Sequence, residues 1–148
     1  MDARRDRRHH LALTLIALCL VATGCQRPTQ EPDEKNELPF GFVDAPTPGA
    51  TVDRQIPIYG WALDDQGVRE VRIFVDGKYI ARARLTQPRP DVTQAYPAYA
   101  RGGDMHGWNL TIMLGDSFTP GTHTILAQAV DTQGATRDLG AIPVSVAF

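Results

Sequence analysis

The sequence predicts an all-β fold: a seven-stranded antiparallel β-sandwich behind a cleaved signal peptide and a flexible tether. Three observations carry this prediction. From Pro39 onward, apolar and polar residues alternate with period two, the spacing of a half-buried strand. Turn signals built on Gly, Pro and Asp interrupt the alternation at roughly ten-residue intervals. After the first 25 residues, no amphipathic stretch of ten or more residues follows a helical period.

The elements follow in order. The first strand covers 40–43, and Thr47-Pro48-Gly49 turns the chain. The second covers 56–63, with Ile56, Ile58, Gly60 and Ala62 on one face, and ends at the turn Asp64-Asp65-Gln66-Gly67. Residues 68–75 alternate most strongly, with Val71, Ile73 and Val75 inward and Glu70, Arg72 and Phe74 outward. Asp76-Gly77 is a two-residue hairpin signal, because the tight turn that matches strand twist needs positive φ at both central positions. The fourth strand, 79–85, carries Arg82 and Arg84 on its polar side, and a long irregular stretch follows over 87–106. Trp108, Leu110, Ile112 and Leu114 form the inward face of the fifth strand, with Trp108 as the expected central core aromatic. Thr119-Pro120-Gly121 leads into the sixth, where Ile125, Ala127 and Ala129 face inward. After Thr132-Gln133-Gly134, the seventh strand closes the fold with Ile142, Val144 and Val146.

The N-terminus has a different character. Arg4, Arg5, Arg7 and Arg8 precede an eleven-residue apolar run over 11–21, too short for the roughly 20 residues of a membrane-spanning helix. A basic segment, a short apolar segment and the small residues Ala22, Thr23 and Gly24 make a secretory signal over 1–24. The stretch Leu20-Val21-Ala22-Thr23-Gly24-Cys25 resembles the bacterial lipoprotein signal, except that Ala22 stands where that family usually has Leu. The resemblance implies cleavage before Cys25, a diacylglycerol thioether on Cys25 and an acyl chain such as palmitate on its amino group. It also implies a location in the bacterial cell envelope, with Gln26 favouring the outer membrane where there is one. Ordinary secretion with an unmodified Cys25 is the alternative.

Removing the signal removes Cys19, and lipidation would occupy Cys25, so no disulfide remains to stabilise the domain. It also removes four Arg against two Asp, leaving eleven basic and fifteen acidic residues, a net of −4. A mildly acidic domain excludes nucleic acid as an expected partner. Residues 25–38, polar and containing Pro28 and Pro32, read as the lipidated N-terminus and tether, and 39–148 as the folded domain.

Within that domain, GWALDDQGV over 60–68, VRIFVDG over 71–77, PRPDVTQAYP over 88–97 and PGTHTILAQAVDTQGA over 120–135 resemble bacterial immunoglobulin-like domains of the fibronectin type. The resemblance implies an immunoglobulin-like sandwich, and it leaves function open because such modules serve many roles. The Cys…Trp…Cys core of antibody domains is absent.

Two constellations carry possible chemistry. In a sandwich of this kind, alternate loops gather at one end. Asp64, Asp65, Asp104 and Asp131 would meet there, offering the hard oxygen ligands that calcium takes. Their spacing matches no EF-hand, and an Asp beside Gly in a turn commonly caps its own backbone. The second constellation is a partner surface. Arg89, Tyr96, Tyr99 and Arg101 lie in the 87–106 loop, and loops this long are usually functional or disordered. That loop is expected to pack across the sheet over Tyr59 and Trp61, pinned by Arg89 and Asp91. Phe74, Leu126 and Val130 would form an apolar patch on the other outer face.

Catalysis is not expected. Ser117 and Ser145, the only serines, lack a nucleophile-elbow frame, and Gly102-Gly103 lacks a phosphate-loop pattern. The expected protein is a membrane-anchored envelope module, non-catalytic and without a cofactor, that binds a protein or glycan or serves a structural role. Alternatives are a calcium-dependent adhesion or enzyme-accessory module, and a small hydrolase if Ser, His and Asp converge.

Overall fold

The computed structural model describes residues 35–100 and 102–148. The expected signal peptide over 1–24, Cys25, the expected tether up to residue 34 and Arg101 lie outside the described residues. The elements run β1 (Phe40–Ala45), β2 (Ala50–Val52), β3 (Gln55–Leu63), β4 (Val68–Val75), β5 (Lys78–Ala83), β6 (Leu85–Gln87), α1 (Pro90–Ala95), β7 (Gly107–Met113), β8 (Gly121–Asp131) and β9 (Thr136–Val146). They form a four-stranded sheet ordered β1-β3-β7-β6 and a five-stranded sheet ordered β2-β9-β8-β4-β5.

Every expected strand is present, and two short strands enlarge the set. β2 pairs parallel to β9, with Ala50 opposite Val144 and Val52 opposite Val146. The expected strand over 79–85 divides between the sheets. Ala83 of β5 pairs with Val71, whereas Leu85 of β6 pairs with Trp108 across the sandwich. Only Arg84 separates β5 from β6, and the period-two alternation continues through it, so local sequence gives no punctuation at this crossing. The irregular stretch also contains structure. α1 has Pro90 at its start and Asp91 in its first turn, both favourable at a helix N-terminus, and it buries Val92.

The core lies between the two sheets. Ile56, Ile58, Val71, Ile73, Ile125 and Trp108 are fully buried in it. Each such aliphatic side chain contributes roughly 1.5–3 kcal/mol by leaving water. Gly60 is required by this packing, because a Cβ there would land on the Phe42 carbonyl oxygen and lie 2.8 Å from the Trp108 ring. The β4–β5 hairpin turns at Asp76 and Gly77, with φ of 50° and 79°, as a tight primed turn demands.

Two expected side-chain environments are corrected. Val130 does face outward, opposite Glu70 in register and outside the core cluster, but it is covered there rather than exposed. Leu110 was expected inside and is only half-buried, packed at the edge of the core.

Candidate partner-binding face and carboxylate end

The outer face of the four-stranded sheet carries the aromatic residues. Phe40 meets Trp61 edge-on at 6.1 Å between ring centroids, Tyr96 at 5.4 Å and Tyr99 at 4.9 Å. Tyr96 also lies 5.4 Å from Trp61. The loop therefore packs over Trp61, as expected, through a four-ring cluster. It does not cover Tyr59, which is 48% exposed. Phe42, on neighbouring β1, is 58% exposed, and its register partner is Trp61, two residues from Tyr59. Asn109, opposite Tyr59 on β7, is exposed as well. Phe42 and Tyr59 are thus diagonal neighbours on an open sheet face with a polar flank. Phe42 was not singled out from sequence, although an inward Val43 implies an outward Phe42.

Arg89 holds the loop in place. Its Nε and Nη2 donate to the two oxygens of Asp91 at 2.9 and 2.8 Å, and its Nη1 donates to Asp44 Oδ2 at 2.7 Å. The guanidinium holds the Asp91 carboxyl down at about 2, and the hydrogen bonds to Asp91 and Asp44 raise the already high pKa of Arg89. Thr93 Oγ1 donates to Asp104 Oδ1 at 2.7 Å, and the Arg89 amide donates to the Asp104 carbonyl at 2.7 Å. The Tyr99 hydroxyl donates to Glu37 Oε2 at 2.9 Å, which raises the phenol's pKa. Arg101, the remaining loop candidate, lies outside the described residues.

Phe74 is half-buried on the other outer face, edge-on to Tyr79 at 5.7 Å and opposite Leu126. With Val130 buried, the apolar patch there consists of Phe74, Leu126 and the half-exposed Tyr79.

At the carboxylate end, local turn bonds occupy much of the acid. Asp64 Oδ1 accepts from the Gln66 and Gly67 amides, both at 2.9 Å. Asp131 is fully buried; its Oδ1 accepts from the Gln133 and Ala135 amides at 2.8 Å, and its Oδ2 accepts from Asn36 Nδ2 at 2.7 Å. Burial pushes the Asp64 carboxyl up despite its two amide donors. Burial pushes the Asp131 carboxyl up too, but its hydrogen bonds outweigh that and the net shift is downward. Asp65 Oδ2 accepts from Gln66 Nε2 at 2.9 Å. A cavity of about 450 Å³ lies beside this end, lined among others by Asp64, Asp65, Tyr99, Met105 and His106. Asp64 Oδ2, Asp65 Oδ1 and His106 Nε2 are buried there without partners among the described residues. Asp104 is tied to Thr93, and among the described residues no three His, Cys, Asp or Glu side chains converge as a metal site requires.

The hydrolase alternative required Ser, His and Asp to meet. His123 Nδ1 lies 2.6 Å from Asp76 Oδ2 and its Nε2 lies 2.7 Å from the Thr119 carbonyl, so neither nitrogen is free to serve a serine.

Comparison with known proteins bears on the fold. No curated protein matches the chain. Among solved structures, the fibronectin(III)-like modules of Clostridium thermocellum CbhA are similar, at 18% identity and a TM-score of 0.51. That similarity covers 72% of this chain and 93% of the other, and it supports a fibronectin-type sandwich as the fold. The bacterial Ig domain family Big_7 matches residues 39–127, from the start of the sandwich into β8, and the chain belongs to that family.

Proposed function

We propose that this protein is a lipid-anchored envelope protein whose single Ig-like domain is a non-catalytic module that binds a protein or glycan. The observation that carries the binding role is the exposed Phe42–Tyr59 pair beside Asn109 on the outer face of the four-stranded sheet. Aromatic rings held on rigid strands give a partner large apolar contact at little cost in side-chain entropy. The anchor rests on the signal over 1–24 and on Cys25, which lies outside the described residues. Gln26 favours the outer membrane where the cell has one.

Two experiments test this reading. Radiolabelled palmitate should enter the wild-type chain and not Cys25→Ala, and the variant should leave the membrane fraction. Retention of both label and membrane association by Cys25→Ala would refute the anchor. A photocrosslinking residue at Tyr59 should capture an envelope component that the same residue at exposed Thr122, on the opposite sheet, does not. Equal capture at both positions would remove the aromatic face as the binding surface.

The calcium-dependent alternative draws on Asp64 Oδ2 and Asp65 Oδ1, the unpartnered buried carboxylate oxygens among the described residues. Melting with calcium and with a chelator separates the readings. The non-metal module should melt at the same temperature in both, and a rise of several degrees with calcium would favour the alternative.

A further inference from the structure

On the outer face of the five-stranded sheet, Arg72 of β4 and Arg82 of β5 stand directly opposite each other in register. Like charges in that relation destabilise a sheet. Glu70, only 8% exposed, offsets part of the conflict. Its Oε1 accepts from Arg72 Nε at 2.8 Å and its Oε2 from Arg82 Nη1 at 3.4 Å, and these bonds hold its carboxyl below the usual range. Arg69 and Arg84 complete an open recess of about 520 Å³ lined by these four arginines and Glu70.

One carboxylate among four guanidinium groups leaves a local charge of +3 in a domain that is acidic as a whole. Glu70 engages one N–H of each opposed arginine, so both Arg72 Nη groups and the Nε and Nη2 of Arg82 have no protein partner among the described residues. Arg69 and Arg84 are exposed and have no ion-pair partner among the described residues. Glu70 thereby acts as a positioning residue, fixing two planar forks whose remaining donors suit the oxygens of a tetrahedral oxyanion.

We propose that this recess is an anion site for a phosphate group, the ligand whose charge and oxygen geometry complement four clustered guanidinium groups around one buried carboxylate. This site stands on the opposite sheet from the Phe42–Tyr59 face and does not depend on lipidation of Cys25.

The test uses the full chain in mild detergent, titrated with inorganic phosphate and followed by amide NMR shifts. Saturable shifts should centre on residues 69–72 and 82–84 and weaken as sodium chloride rises. Arg69→Ala/Arg84→Ala should bind at least about tenfold more weakly while keeping the wild-type spectrum elsewhere. Arg72→Lys keeps the charge but removes the fork, and should also weaken binding. A second arm floats the chain with phosphatidylglycerol or phosphatidylcholine vesicles. The apolar run over 11–21 contributes equally to both vesicles and Arg4, Arg5, Arg7 and Arg8 contribute equally to wild type and variant, so a phosphatidylglycerol excess that Arg69→Ala/Arg84→Ala reduces identifies a lipid headgroup as the source. Binding of inorganic phosphate without that excess identifies a free phosphate. If neither probe registers at the recess, or the double variant binds both as the wild type does, the proposal is overturned.

Discussion

His123 sits between two groups that can only accept, the Asp76 carboxylate and the Thr119 carbonyl. Only a doubly protonated ring donates to both, which is why its pKa is raised by Asp76 and then by Thr119. Asp76 is correspondingly lowered by His123 and by the Thr124 amide, which donates to its Oδ1 at 2.9 Å. Because the folded His123 holds its proton more tightly than the unfolded chain does, its contribution is complete below its unfolded pKa. It is lost as pH rises through the folded value. Asp76 contributes above its unfolded pKa and loses that contribution as pH falls through its lowered folded value. Melting curves should therefore show the wild type losing more stability than His123→Gln between about pH 6 and pH 9. Equal slopes for the two proteins would show that the imidazolium does not clamp the hairpin. The sequence does not disclose this clamp, because nothing in a chain separation of 47 residues names Asp76 as the partner of His123.

At the scale of elements, the 87–106 segment is a short helix and two turns lashed to the sheet. Arg89 reaches from the loop to Asp44 on β1 while gripping Asp91 within the loop. The local half of that lock was legible, since Arg89 and Asp91 are two residues apart. The Asp44 half required tertiary structure, because 45 residues intervene. Arg89→Ala should leave Asp44 and Asp91 unpaired and loosen the cover over Trp61. The expected readout is faster amide exchange across α1 and a red shift in tryptophan emission as Trp61 gains water, with exchange in β4 and β8 unchanged. Wild-type exchange across α1 in the variant would mean that the Phe40–Trp61–Tyr96–Tyr99 cluster suffices alone. The β5–β6 crossing is the element that local reasoning could not divide, because Ala83 and Leu85 both turn to the core, each from a different sheet.

For the whole molecule, one tryptophan tests the integrity of the sandwich. Trp108 is fully buried between the sheets, against Gly60 on its own sheet. Trp108→Ala should cost about 3–5 kcal/mol. That is a large part of the 5–15 kcal/mol typical of a domain, and no cysteine stands among the described residues to compensate with a disulfide. Trp108→Phe should cost clearly less, because the indole N–H has no hydrogen-bond partner to lose among the described residues. Chemical denaturation of the two variants checks the order, and similar losses from both would mean that the indole contributes more than its volume.

Apart from β2, the β5–β6 division and the place of Leu110, the sequence by itself determined where the main strands lie, most of the inward rows of the core, the Asp76-Gly77 hairpin and the fold class. These follow from alternation and turn chemistry, which are local. Only the tertiary structure decided which outward residues stay exposed. Trp61 and Tyr59 are two residues apart on one strand, yet one is roofed by the loop and the other is open. Val130 likewise stands on the outer face, opposite Glu70, yet it is covered there while Phe74 is only half-buried. The arginine recess depends on register: Arg72 and Arg82 are ten residues apart in sequence and become opposed only when β4 pairs with β5. Burial of one sheet face is written in each strand's period, whereas the composition of an outer surface is set by which distant segments come to lie side by side.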